Sequence, residues 1–364
     1  MYLKSGNKGE CSGCTACMNI CPKNAIKMIY DEEGFKYPVI DKEKCINCGK
    51  CYNICPNIKK DKINSIIQAY GAKHKDVKEQ FTSRSGGAFI AISDYILQQN
   101  GVVYGAELKE DFTVFHNRAT NREERDKFKG SKYIQSDMKN IIEDVKKDLE
   151  NNKKVLFSGT PCQIAGVKAC IKDKYKENLY TCDIICHGVP SELIFREFLK
   201  YIEQANNKQI KKFIFRDKRF GWATHHETFI FSDNTEISTT YFRNLFYGHH
   251  ILRPACYTCN YANTHRPADI TIADFWGVDE VNPEFWDKNG VSLIIINNDK
   301  GQNIFDNIRK DLKTIDCSVE DCTKHTYTLN QPTPITDNRD EFWKDYKREK
   351  FDYIINKYAS ENYN

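Results

Sequence analysis

One pattern occurs twice near the start of this 364-residue chain, at an offset of 34 residues: Cys11-x2-Cys14-x2-Cys17-x3-Cys21-Pro22 and Cys45-x2-Cys48-x2-Cys51-x3-Cys55-Pro56. Three thiols at three-residue spacing let a tight loop present three thiolates to one cuboidal [4Fe-4S] cluster. A fourth, displaced by three residues and followed by Pro, reaches across to the other cluster of a pair. The spacing therefore predicts one cluster on Cys11, Cys14, Cys17 and Cys55, and a second on Cys45, Cys48, Cys51 and Cys21. A four-cysteine zinc site needs two pairs of thiolates, not two quartets with matching prolines.

Residues 1–60 thus read as a two-cluster, bacterial-type ferredoxin module, and residues 57–65 (NIKKDKINS) as a polar linker to the larger part, 61–364. The chain has 16 cysteines, and its opening MYLKSGNKGE has no apolar segment of a secretory leader. Metal binding in a reducing cytoplasm is the expected use of so many thiols. The longest apolar run, Leu293–Ile296 with its neighbours, falls far short of the roughly 18 residues that span a bilayer, so no membrane span is expected. The net charge of +4 is carried by residues 1–60, with ten Lys against six Asp or Glu, and the rest is balanced. No arginine-bearing stripe for nucleic acid is present.

From residue 66 strands and helices mix without strict alternation, which predicts a mixed α/β or α+β sheet. IIQAYGA reads as a strand. Ser85-Gly86-Gly87 turns into an amphipathic helix through about Gln98. GVVYGAEL and FTVFHNRA read as a strand pair, and a helix follows from about Met138 to Glu150. KVLFSGTPCQ reads as strand, sharp turn and helix start, and YTCDIICHG as another strand. Ser191 caps a helix with apolar residues at helical spacing. KKFIFRD, HETFIFS, ADITIAD and VSLIIIN are expected to complete the sheet. No Gly-x-Gly-x-x-Gly follows a strand, and no P-loop is present, which excludes a Rossmann dehydrogenase.

Three further thiol constellations stand out. In Ser158-Gly159-Thr160-Pro161-Cys162-Gln163, Pro at the first helical position puts Cys162 in the first turn, where free N–H groups favour a thiolate; a buried structural thiol or a nucleophile are the other readings. Cys256-x2-Cys259 follows Arg253-Pro254. Cys182 and Cys186, four apart in a strand, share one face. Cys162, Cys256, Cys259 and either Cys182 or Cys186 make four thiolates, enough for a third [4Fe-4S] cluster.

The set SRSGGAF, GSKYIQS, GTPCQ, CHGVPS, LRPACYTC and RPADITIADFWG, in that order from Cys11 to about Asn297, resembles the coenzyme F420 hydrogenase/dehydrogenase beta-subunit family, here with a fused N-terminal ferredoxin. The resemblance implies a non-covalent FAD beside a [4Fe-4S] cluster. The flavin would exchange a hydride with F420 or another small molecule, and one-electron traffic would run to ferredoxin or a redox partner subunit. Carried over position by position, the cluster ligands fall on Cys162, Cys186, Cys256 and Cys259. The cofactor residues fall on Gly86 and Gly87 beside Ser85, on Gly130, Ser131, Lys132 and Tyr133, and on Gly159 and Thr160 of the GTPCQ turn. Paired glycines at a helix start allow close approach to a diphosphate, and a lysine near N1 would tune flavin electronics. Plain helix entry and a solvated lysine are the competing readings. Asp274 is placed at a strand end facing the pocket.

Arg216–Trp222 (RDKRFGW) is expected either to line or lid a substrate entrance or to form an ordinary hairpin turn. His225-His226 and His249-His250 are not expected to bind metal, Cys317 and Cys322 read as buried free thiols, and Cys170 as helix core. The tail after Arg339 reads as an amphipathic helix packed on its own domain. The rival functions are a non-catalytic electron-transfer subunit without flavin and an enzyme with Cys162 as nucleophile.

Overall fold

The computed structural model describes residues 1–58 and 65–360. The expected linker falls largely on 59–64 and the 60/61 boundary wholly within it, outside the described residues. The cysteine-rich segment forms two short helical turns, Ala16–Asn19 and Lys50–Asn53, and an antiparallel hairpin of β1 (Ile26–Tyr30) and β2 (Lys36–Ile40).

The larger part is built on an eight-stranded mixed sheet. Its strands are β3 (Gln68–His74), β4 (Val102–Leu108), β5 (Val114–Ala119), β6 (Val155–Gly159), β7 (Leu179–Ile184), β11 (Ile270–Asp274), β12 (Ser292–Ile296) and β13 (Leu312–Cys317), in the order β13-β3-β12-β11-β7-β6-β4-β5. The intervening β8 (Ile210–Ile214), β9 (Glu227–Phe231) and β10 (Glu236–Thr239) form a separate three-stranded antiparallel sheet. This corrects the expectation that KKFIFRD and HETFIFS join the main sheet. Their inward Phe213, Phe229 and Phe231 pack instead on Phe195 and Phe198 of helix Glu192–Asn206 and on the C-terminal helices. The tail is two helices, Arg339–Arg348 and Phe351–Tyr358, which bury Phe342, Trp343, Ile354, Ile355 and Tyr358 in the same core.

The register of the main sheet decides where chemistry can occur. β4, β6, β7 and β11 run parallel, with Gly159 opposite Asp183 and Ile184 opposite Ile272. The carboxyl ends of β6, β7 and β11 therefore open side by side, and in α/β sheets ligands bind off such ends. The antiparallel partners bring the start of β12 and the end of β3 to that same edge, with Asp274 opposite Ser292 and Ser292 opposite Ala72.

The cysteine-rich segment docks on this part through polar bridges. Tyr30 Oη donates to Glu192 (2.6 Å), Lys36 pairs with Asp137 (2.8 Å), and Arg339 grips Glu33 with both ends of its guanidinium. Cys14 lies directly over Gly166 of helix Pro161–Cys170, where any Cβ would come within 2.8 Å of the Cys14 Cβ.

Gly86 sits where the helix Ala88–Leu97 meets the sheet. A Cβ there would collide with the Ala72 carbonyl oxygen and stand 2.6 Å from the Ser292 nitrogen. Both obstacles are strand backbone and cannot yield easily. Gly86→Ala is expected to lose about 1–3 kcal/mol of stability through overpacking. A denaturant midpoint equal to that of the parent chain would contradict this reading of the contact.

Candidate functional site

Cys11, Cys14, Cys17 and Cys55 line one cavity of about 420 Å³, part of it open to solvent, under Met1, Tyr2 and Pro38. Burial, then the neighbouring Cys11 and Cys55, pushes the Cys17 thiol up to about 12. In the second group burial raises the Cys51 thiol, with Cys48 and Cys21 as its thiol neighbours, and Cys45 Sγ lies 3.7 Å from Asn47 Oδ1. The two chain segments thus exchange their fourth cysteines. Gly13 makes the first loop possible: its φ is +74°, and a Cβ would meet Gln135 and Arg253 at 2.8 and 3.1 Å.

Cys162, Cys186, Cys256 and Cys259 come together around a second cavity of about 700 Å³, part of it open to solvent. β6 delivers Cys162 through Thr160 and Pro161 at the helix start, and the chain leaving β7 delivers Cys186. Cys182 faces elsewhere, buried in the sheet core with Ile270 and Ile294. β7 ends at Ile184, so the alternation that would have put both thiols on one face stops before Cys186. Backbone N–H groups of Val189 and Tyr261 donate to the sulfurs of Cys256 and Cys259 (3.4 Å each), and Thr160 Oγ1 lies 3.2 Å from Cys162 Sγ. Burial raises all four thiols, that of Cys256 to about 12. A set of buried thiolates therefore needs a cation to ionise it. Among the described residues no three His, Cys, Asp or Glu close around a single ion. A tetrahedral zinc site would need sulfurs only about 3.8 Å apart, given Zn–S of about 2.3 Å, whereas each thiolate of a cuboidal cluster takes its own iron.

A buried hydrogen-bond chain holds the Cys162 turn. His116 donates from Nε2 to Ser158 O (2.9 Å) and accepts at Nδ1 from Ser136 Oγ (2.7 Å), a tautomer assigned from its partners. Gln163 donates to Ser136 Oγ (2.9 Å) and accepts from Thr160 N (3.0 Å). Gly159 packs against Gln163 and His116, so Gly159 and Thr160 serve the turn that carries Cys162.

Beyond the four-cysteine cavity lies a second centre, around Asp274 at the end of β11. Trp222 Nε1 donates to its Oδ1 (2.9 Å) and Arg216 Nη1 to its Oδ2 (2.8 Å), with Ser85 close by. Burial opposes its ionisation, but Arg216 and Arg84 hold the carboxyl below its ordinary range. Ser85 Oγ donates to Val291 O (2.7 Å), and Gly87 caps the following helix. Tyr133 lies beside Arg216, whereas Lys132, its neighbour on the other side of the chain, donates to the carbonyls of Lys127 and Lys129. Burial lowers that ammonium to about 7. Gly130 is exposed, with open space around its α-carbon, and Ser131 is half-buried. The structure thus brings Ser85, Tyr133 and Asp274 together and leaves Gly130, Ser131 and Lys132 to one side.

Arg216–Trp222 lies between β8 and β9, with the side chains of Arg216 and Trp222 buried against Asp274, Trp222 stacked on Trp276 (5.1 Å between centroids), and Phe220 exposed. Rings bridge the two centres. His187, next to Cys186, meets Tyr247 at 5.2 Å; Tyr247 meets His225 at 5.7 Å; His225 meets Tyr133 at 4.7 Å. His249 faces His187 (2.9 Å) and His250 stacks on Phe342, so neither joins the thiols. Cys317 and Cys322 are buried within hydrogen-bonding reach of each other. Sequence reasoning did not single out Arg84, Arg253, His116 or Tyr247. The arginines were visible inside SRSGG and LRPAC, motifs otherwise read for their glycines and cysteines.

Residues 152–319 match the family described as the C terminus of the beta subunit of coenzyme F420 hydrogenase/dehydrogenase, and residues 10–57 match the 4Fe-4S dicluster domain. No curated protein matches the chain. Among solved structures, a chain of the F420-reducing [NiFe] hydrogenase complex from Methanosarcina barkeri (a xenon derivative) superposes with a TM-score of 0.51 at 17% identity, covering 82% of this chain and 92% of that one. At that identity the likeness concerns the fold. Among the described residues no helix is long and apolar enough to cross a membrane.

His116 supplies a pH test of the Cys162 turn. Burial lowers its pKa from 6.5 to about 4, so on acidification the unfolded chain takes up the proton first. Its contribution is complete above pH 6.5 and is lost as pH falls toward 4. Between pH 7 and 5 the parent chain is expected to lose about 2 kcal/mol more stability than His116→Gln, measured by chemical denaturation; equal losses would contradict the neutral, buried assignment.

Proposed function

Because this chain joins a 4Fe-4S dicluster domain to the C-terminal domain of the coenzyme F420 hydrogenase/dehydrogenase beta-subunit family, we propose that it is an iron–sulfur flavoprotein oxidoreductase. In this reading a third [4Fe-4S] cluster is held by Cys162, Cys186, Cys256 and Cys259. FAD is held near Ser85, Gly86, Gly87, Tyr133 and Asp274, with Gly130, Ser131 and Lys132 at the margin and Gly159 and Thr160 behind the cluster. When bound, the flavin supplies exchange between a hydride and single electrons, and the clusters carry electrons one at a time.

The observation that carries the proposal is the shared sheet edge. The carboxyl ends of β6, β7 and β11 set the four-thiol cavity and the Asp274 centre side by side, and the rings of His187, Tyr247, His225 and Tyr133 join them. On the other side, Cys14 packs on the helix whose first turn carries Cys162, so the first N-terminal thiol set adjoins the third. Cys48 of the second set is exposed. That gradient from interior to surface suits delivery to an external one-electron carrier, ferredoxin or a redox partner subunit. The organic partner is a small hydride donor or acceptor, F420 or another.

Within this arrangement the protein's own groups have definite tasks. Val189 and Tyr261 donate N–H to the thiol sulfurs, stabilising negative charge there. Asp274 orients Arg216 and Trp222, and Gly86 lets the helix that begins at Ala88 close on the sheet.

Anaerobic purification followed by iron, sulfide and released-flavin assays tests the reading. About twelve irons and one FAD per chain are expected, falling to about eight irons in Cys186→Ala and staying near twelve in Cys182→Ala. About eight irons in the parent chain with no flavin would instead leave a plain electron-transfer subunit.

A further inference from the structure

The charges around Asp274 do not balance. Three cations converge there, Arg84, Arg216 and Lys218, against the single carboxylate of Asp274. Asp287, the next acid, pairs with Lys73 (3.4 Å). The remaining titratable neighbours, Tyr133, Tyr247 and His225, supply no negative charge: burial raises the Tyr247 phenol, and burial, then Arg216 and Arg84, lowers His225 to about 2.

The hydrogen bonds single out one of the three. Lys218 Nζ is committed to the carbonyls of Gln80, Ser83 and Ser85 at 2.7 to 3.0 Å. Arg216 is engaged by Thr224 O, Trp222 O and Asp274. Arg84 gives Nη2 to Trp222 O (2.6 Å), but its Nε and Nη1 are buried without a partner among the described residues. Asp274 Oδ2, which takes Arg216 Nη1 at 2.8 Å, pairs with Arg84 Nε only at 3.9 Å, too long for a hydrogen bond. Buried guanidinium N–H groups left unpaired are costly, and Nε and Nη1, which lie on different edges of the group, each offer an N–H to an oxygen of a carboxylate or phosphate.

We propose that Arg84, backed by Arg216 and Lys218, is an oxyanion-binding site at the carboxyl edge of the sheet, taking a carboxylate or phosphate group. Two sources share that chemistry: an anionic organic substrate, or the diphosphate of a bound flavin. Assigning the oxyanion to either rests on the flavin reading above; the site itself does not.

The test uses the anaerobically purified full chain with its clusters, before and after removal of any bound flavin. Its thermal midpoint is followed against inorganic phosphate and against succinate, with chloride at matched ionic strength. A saturable rise above the chloride control is expected for at least one anion. Arg84→Gln is expected to abolish it, and Arg84→Lys, which keeps the charge but not the planar set of N–H donors, to weaken apparent affinity about tenfold. A response seen only after flavin removal, with Arg84→Gln purifying flavin-free, assigns the site to the diphosphate. A response with flavin in place, and flavin retained in Arg84→Gln, assigns it to the substrate. No response beyond chloride in either preparation, or an equal response in Arg84→Gln, overturns the site. A parent chain that holds no flavin but responds to phosphate would refute the flavin reading and leave the oxyanion site standing.

Discussion

The arrangement hinges on Arg253, a fully buried guanidinium that forms no ion pair with a carboxylate among the described residues. It donates to Cys11 O (2.7 Å), Lys36 O (2.9 Å) and Gln135 Oε1 (2.9 Å), and lies over the ring of Tyr37 at 4.4 Å. These contacts tie the cysteine-rich segment to the larger part. A buried cation held only by neutral acceptors is costly unless negative charge stands nearby. Here the candidates are thiolates: Arg253 reaches toward Cys11 Sγ (3.8 Å), lines the four-thiol cavity, and draws the Cys162 and Cys256 thiols downward against their burial. In the proposed reading, clusters on both sides and the cation between them would stabilise one another, so that docking and cluster binding become one problem.

The rest follows from strand order. Parallel β6, β7 and β11 release their chains at one edge, so residues as distant in sequence as Cys162, Cys186 and Asp274 share a small volume. The antiparallel strands β3 and β12 complete that edge and press on Gly86. Gly86 is thus required for packing before any cofactor is considered, which changes how paired glycines at such a helix start should be interpreted.

How much of this was legible in the sequence depends on distance along the chain. The duplicated cysteine motif is local, and its spacing predicted the exchange of fourth cysteines that the cavity beneath Met1 and Tyr2 displays. The helix start at Pro161 was equally local. Strand membership was not: β8 and β9 carry ordinary strand patterns, and only the aromatic face of helix Glu192–Asn206 draws them into a second sheet. β13 went unread because LKTIDC is an edge strand with a mixed burial pattern. The choice between Cys182 and Cys186 turned on where β7 stops, and the charge cluster on residues 84, 216, 218 and 274, which no short window contains. Lys132 and Tyr133 point to opposite sides of an irregular segment, so a motif read as one unit serves two surroundings.

A third cluster lying against the first, with Arg253 between them, is tested most directly by low-temperature EPR of the fully reduced, anaerobically purified chain. About three spins per chain are expected, with broadening from coupling that diminishes in Cys162→Ala. About two spins, with a spectrum unchanged by Cys162→Ala, would contradict it.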